Sequence, residues 1–206
     1  MKVPLKIEDV SQKLLDRLNA THDPIFVDVK LEEWAKPLDC INNVKKKIEK
    51  DGGKSILGWQ IWQNNIADAE FHAVWEDLEG NLVDITPKEG IDIKQIIFVE
   101  DSNLKYEGKQ IDNVRVNISG NPLVDDLILV SEKNFQFLNN GEKAEGHKLF
   151  LTLEEAGYLE LLQCIKNDII SMLSKGQNKD NLCFCNSGRS YKDCCGRELG
   201  KILNEN

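Results

Sequence analysis

Four of the chain's six cysteines crowd together at Cys183, Cys185, Cys194 and Cys195, while Cys40 and Cys164 stand apart. No other feature restricts the fold so tightly. The N-terminus, MKVPLKIEDV, has no apolar stretch of the length a secretory signal needs, so a reducing, cytoplasmic setting is expected. There, clustered cysteines indicate a metal site rather than disulfides, with a redox-active thiol pair as the alternative. Four thiolates at this density suit tetrahedral zinc, with soft ligands, Zn–S distances of about 2.3 Å and a closed shell. So short a segment has too little apolar surface to fold alone, and metal binding is expected to supply most of its folding free energy. Ser187-Gly188 is the expected turn returning the second pair onto the first.

The stretch reads CFCNSGRSYKDCCG from Cys183 to Gly196. Its C-x-C-x-S-G-x-x-Y-K-x-C-C pattern resembles the SEC-C motif, the zinc-binding tail named after the SecA C-terminus. The likeness extends past the cysteines to Ser187, Gly188, Tyr191 and Lys192. It implies Zn2+ held by the four cysteines in a site that performs no chemistry. It also implies an interaction knob appended to an unrelated body, with Tyr191, Arg189 and Lys192 facing a protein partner.

Ahead of this module, 41% hydrophobic and 30% charged residues are enough to bury a core. No run approaches the roughly 18 apolar residues of a membrane span. Lys plus Arg number 26 against 35 Asp plus Glu, a formal net charge of −9, which disfavours bulk nucleic-acid binding. The densest basic run, Lys45-Lys46-Lys47, is followed at once by Glu49 and Asp51 and reads as a solvated helix face. Length and pattern predict an α+β body over 1–176 and the zinc module over 177–206.

Residues 1–30 read as a short polar helix followed by LNATHDPIFVDVKL, a loop leading into a strand, with Pro24 separating the two. A helix from about Cys40 to Lys50 follows, with Asp39 as N-cap, Ile41, Val44 and Ile48 on one face, and Asp51-Gly52-Gly53 as the stop. SILGWQIWQ, ADAEFHAVWED and GNLVDITP alternate as three strands, IIFVE as another, and PLVDDLILVSEKNFQFLNN reads as more helical. The last long helix opens on a Thr152–Glu155 capping box and repeats Leu159, Leu162, Ile165, Ile169 and Leu173, with Cys164 placed in its packed face. Trp59, Trp62 and Trp75 are expected in the core, and Trp34 beside a cleft.

Within the body, Cys40 falls in the first turn of its helix, where the dipole favours a thiolate. His72 and Asp84 fall on consecutive strands. Asp77-Leu-Glu-Gly80 fits a type I turn closed by a left-handed glycine, which sets Asp77 opposite Asn81. That register gathers Phe71, Ala73, Trp75, Val83 and Ile85 on an apolar face. His72, Val74, Glu76, Leu82, Asp84 and Thr86 share the other, polar face, with His72 diagonal to Asp84. Nucleophile, base and orienter then occur in the order of a Cys-His-Asp triad. A metal site from Cys40, His72, Asp84 and Glu70 is the alternative use of these residues. His22 and His147 fall in expected loops and carry no argument.

A helix-borne cysteine, the strand His72-Ala-Val-Trp, a turn and the strand Leu82-Val-Asp84-Ile-Thr-Pro87 resemble the transglutaminase-like branch of the papain-like cysteine enzymes. The resemblance spans residues 35–90. It implies a papain-like body with an antiparallel sheet, Cys40 as nucleophile, His72 as general base and Asp84 as its orienter. No oxyanion donor is obvious in the sequence, and the candidates are the Cys40 N–H, Gln60 and Trp59. The implied function is that of a peptidase, deamidase or acyl transferase working on amide bonds of a protein substrate. The alternative is a non-catalytic adaptor that binds a protein through the zinc module.

Overall fold

Alternating apolar residues and a three-residue hairpin turn give the first half of the chain a sheet that rolls up on itself. In the computed structural model, which describes residues 2–139 and 151–204, the strands are β1 (Ile25–Val29), β2 (Lys54–Gln63), β3 (Ile66–Glu76), β4 (Leu82–Asp84), β5 (Gln95–Glu100) and β6 (Val114–Asn117). The helices are α1 (Gln12–Leu18), α2 (Cys40–Asp51), α3 (Leu123–Leu138), α4 (Leu153–Ser174) and α5 (Cys195–Asn204). His147 lies outside the described residues.

Sheet order is β2-β5-β1-β4-β3-β6, and a further β2–β3 pairing closes the first five strands into a barrel. The expected antiparallel sheet is therefore corrected twice. It is closed, and β1 runs parallel to β4 with Val29 opposite Asp84. The hairpin register is as expected, with Trp75 opposite Val83 and Glu76 opposite Leu82. Asp77 holds the turn by accepting the N–H groups of Glu79 and Asn81 at 3.0 and 2.7 Å, and Gly80 adopts φ +88°.

Closure changes what the strand faces mean. Ala73, Val83 and Ile85 pack with Val44 of α2, joined by Ile41, Ile48, Leu57 and Trp75. The opposite face points into the barrel, where Val27, Ile56, Val74, Ile96 and Phe98 form a second apolar cluster flanked by Leu82. The face expected to be polar is thus half of an interior core. Each fully buried aliphatic side chain there contributes about 1.5–3 kcal/mol.

The chain forms two compact units. One comprises Met1–Glu107 with Asn113–Arg115; the other comprises Gly108–Asp112 with Val116–Asn206, so α3, α4 and the cysteine-rich segment belong together. In this second unit the capping box of α4 forms as expected: Glu155 N–H donates to Thr152 Oγ1 at 3.2 Å, and Thr152 N–H to Glu155 Oε2 at 2.8 Å. Leu162, Ile165, Ile169 and Met172 are its buried stripe. Cys164 is exposed, contrary to expectation, because it lies about 100° around the helix from Ile165. Phe137 of α3 packs on Tyr158 of α4 with ring centroids 5.2 Å apart, and the Tyr158 hydroxyl donates to the Ile202 carbonyl of α5 at 3.0 Å.

Candidate active site and metal centre

Pairing between β3 and β4 stops at Trp75–Val83, leaving the two strands apart beyond it. His72 lies on β3, Asp84 ends β4 and Cys40 opens α2. Cys40 is half-buried, and its thiol meets the His72 ring and the Ala73 N–H. His72 Nε2 lies 3.1 Å from Asp84 Oδ1, with His72 3% and Asp84 0% exposed. Asp84 Oδ1 also accepts the Thr86 N–H at 2.9 Å, which fixes the carboxylate plane. The three residues singled out in the sequence are therefore in one place.

Two members of this cluster escaped the sequence reading. Lys88 brings Nζ within 3.0 Å of Asp84 Oδ2 and 3.2 Å of His72 Nε2. Asp84, Thr86 and Lys88 are two residues apart, but Pro87 interrupts the alternation and spacing does not give the reach of Lys88 to His72. Asn43 is buried one turn beyond Cys40. Its Nδ2 donates to the Lys36 carbonyl at 2.7 Å and to Thr86 Oγ1 at 3.2 Å, and its Oδ1 accepts the Lys36 N–H at 3.0 Å. It ties the start of α2 to the segment after Asp84. Asp39 occupies the N-cap position, but its side chain accepts from Asn42 Nδ2 at 2.6 Å and caps no helical N–H. Leu38, just before it, takes φ +60°. That left-handed turn is uncommon for a leucine.

The electrostatics polarise the cluster. Burial pushes His72 toward neutrality and the Lys88 ammonium adds to this. The Asp84 carboxylate and the hydrogen bonds to Asp84 and Cys40 outweigh both, raising His72 to about 9. Burial raises Asp84, yet His72 and Lys88 bring it down to about 2. The Cys40 thiol is likewise opposed by burial but lowered overall by His72, the Ala73 N–H and the charge of Lys88. Such an arrangement can hold a thiolate beside an imidazolium.

Of the candidate oxyanion donors, Trp59 is committed, since its Nε1 donates to Asp101 Oδ2 at 3.2 Å. Gln60 is fully buried in the barrel wall, with its amide unpartnered. The Cys40 N–H remains, at a helix start where first-turn N–H groups have no intrahelical acceptor. The alternative metal set fails: Glu70 accepts from Trp62 Nε1 at 2.7 Å. Among the described residues, only the four terminal cysteines converge as ligands.

Those cysteines lie on two short pieces. A bridge between Leu182 and Ser190 and the Cys183 N–H bond to the Arg189 carbonyl at 2.9 Å hold Cys183 and Cys185 on a small loop. Asn186 and Gly188 take φ +58° and +75° within it, so Asn186 joins Gly188 in making the turn. Cys194 precedes α5 and Cys195 opens it, and the four Sγ atoms lie within 4.8 Å of one another. Ser187 Oγ lies 3.1 Å from Cys194 Sγ, and Arg189 Nη2 donates to the same sulfur at 3.3 Å. The thiols oppose one another. Cys185 is lowered to about 6 by hydrogen bonds from Ser187 and Cys194, whereas burial and the neighbouring Cys183 and Cys185 push Cys195 up. A divalent cation removes that conflict, so the donor set can hold a metal ion.

Tyr191 is not the exposed recognition residue expected of it. It is 0% exposed, its ring lies 5.9 Å from that of Phe184, and its hydroxyl faces Asp126 of α3. Burial and that carboxylate push its ionisation up. Asp126 in turn pairs with Lys179 at 2.7 Å. A Cβ at Gly196 would meet Tyr191 Cε1 at 2.5 Å, so the glycine after the cysteine pair is what lets the tyrosine pack. Arg189 and Lys192 are exposed.

Residues 181–197 match the SEC-C motif. Searches of curated proteins and of solved structures returned no match to the chain. No described helix is long and apolar enough to cross a membrane.

Proposed function

We propose that this is a two-part protein: a thiol enzyme of transglutaminase-like, papain-like design in residues 1–107, joined to a structural zinc module. The observation that carries the first part is the continuous chain from the Cys40 thiol through the His72 ring to Asp84, the last link being 3.1 Å. The Cys40 thiolate attacks an amide carbonyl of a protein substrate, and the Cys40 N–H receives the developing oxyanion. Protonated His72 gives its proton to the leaving amine as the C–N bond breaks, leaving a thioester. His72, now neutral, takes a proton from water as it attacks the thioester, and the thiolate is regenerated. Hydrolysis gives a peptidase or deamidase, and attack by an amine gives an acyl transferase. Cysteines gathered as metal ligands suit a reducing, cytoplasmic compartment.

In the second part, Cys183, Cys185, Cys194 and Cys195 would hold Zn2+ in a closed shell that orders the end of the chain and does no chemistry. The match over residues 181–197 favours a second reading, an adaptor whose module binds a protein partner. With Tyr191 buried, Arg189 and Lys192 are the residues such a surface presents.

The deciding experiment is the pH dependence of iodoacetamide alkylation, followed at the Cys40 peptide by mass spectrometry in zinc-loaded protein and its His72→Ala variant. We expect reaction well below the ordinary thiol range of about 8.5, with that advantage lost in the variant. An ordinary thiol indifferent to His72 would leave the adaptor.

A further inference from the structure

Asp84 has two suitors. Its Oδ1 faces His72 Nε2 at 3.1 Å, its Oδ2 faces Lys88 Nζ at 3.0 Å, and the same ammonium stands 3.2 Å from His72 Nε2. The Lys88 side chain is only 12% exposed, so water does little to separate these charges. An ammonium donates and never accepts, and a ring nitrogen does one or the other. Nε2 therefore either carries a proton and donates to Asp84, or is bare and accepts from Lys88. With Nε2 occupied in both cases, Nδ1 is the nitrogen left for Cys40.

The two arrangements differ in what His72 can do. When Nε2–H donates to Asp84, Nδ1 is free to take the thiol proton, giving a Cys40 thiolate and an imidazolium with one proton moved and none lost. When Lys88 donates to Nε2, the single proton of the neutral ring sits on Nδ1, and His72 can no longer accept from the thiol. We propose that Lys88 is a fourth, positioning member of this site that competes with Asp84 for His72 and so selects the tautomer facing Cys40. The inference rests on reading Cys40 and His72 as a thiol–imidazole pair.

The titratable groups acting on His72 are Cys40 on α2, Asp84 on β4 and Lys88 beyond it. Loss of the ammonium removes a like charge from His72 and the donor to its Nε2. In 15N-labelled full-length protein, Lys88→Met is expected to raise the His72 titration by about one pH unit or more. The neutral ring should also shift toward the Nε2–H form in its nitrogen shifts. Lys88→Arg, which keeps the charge, should stay near the parent. If Lys88→Met fails to fold, as read by tryptophan fluorescence, Lys88→Gln replaces it. An unchanged titration and tautomer in the neutral variant, or an arginine variant behaving like the neutral one, overturns the proposal. Cys40 alkylation is run in parallel. If that is indifferent to His72→Ala in the parent, the thiol-enzyme reading fails, while the nitrogen shifts still decide whether Lys88 governs the His72 tautomer.

Discussion

His72 and Asp84 hold each other in charged form at opposite ends of the pH scale. His72 rises from 6.5 to about 9, so the folded state binds its proton more tightly than the unfolded chain does. That stabilisation is complete below 6.5 and is lost as pH climbs through about 9. Asp84 falls from 3.8 to about 2, so its contribution is present above 3.8 and is lost as pH drops toward 2. All four tryptophans, Trp34, Trp59, Trp62 and Trp75, lie in the first unit, so their fluorescence reports its unfolding alone. The thermal midpoint read this way is expected to fall between pH 6.5 and 9, and the fall should vanish in His72→Gln. A midpoint that stays flat in the parent would mean the ring is not held protonated. At this scale Cys40, His72 and Asp84 were legible, because chain order and strand parity need no third dimension. Lys88 and Asn43 were not: one lies beyond a proline that interrupts the alternation, and the other looks like any polar residue of a helix.

Strands and turns repeat the lesson one level up. The Asp77–Gly80 turn dictated the β3–β4 register from four residues, because a left-handed glycine and an aspartate accepting two N–H groups leave one loop length. The helical stretch that became α2 was equally plain from Ile41, Val44 and Ile48. What local pattern could not supply was closure, since the β2–β3 and β1–β4 pairings depend on partners far apart in the chain. Gly58 marks a point of close packing in the barrel wall. It lies opposite His72 on β3, and a Cβ there would meet the Val99 carbonyl at 2.2 Å and the Phe98 ring at 2.5 Å. Gly58→Ala is expected to destabilise the first unit by about 1–3 kcal/mol, as other overpacked cores are. Urea unfolding followed by tryptophan fluorescence measures it, and an unchanged midpoint would mean the barrel wall is looser there than it looks.

For the molecule as a whole, the cysteine cluster and the Cys40–His72–Asp84 cluster lie in different compact units, so each is expected to respond to perturbation without the other. Strong chelation of zinc-loaded protein is expected to lower helical circular dichroism as α5 and the cysteine loop lose order. Tryptophan fluorescence and Cys40 alkylation should stay as they were. Loss of both together would mean that the two units fold as one. The sequence by itself determined the clustering of four cysteines that could hold a metal ion, the hairpin register and the chain order of Cys40, His72 and Asp84, all of which follow from short-range spacing. Only the tertiary structure decided that the sheet closes, that Tyr191 is buried core rather than docking surface, and that Lys88 shares Asp84 with His72. Each of these depends on which distant segments exclude water from one another, and no local period in the chain encodes that.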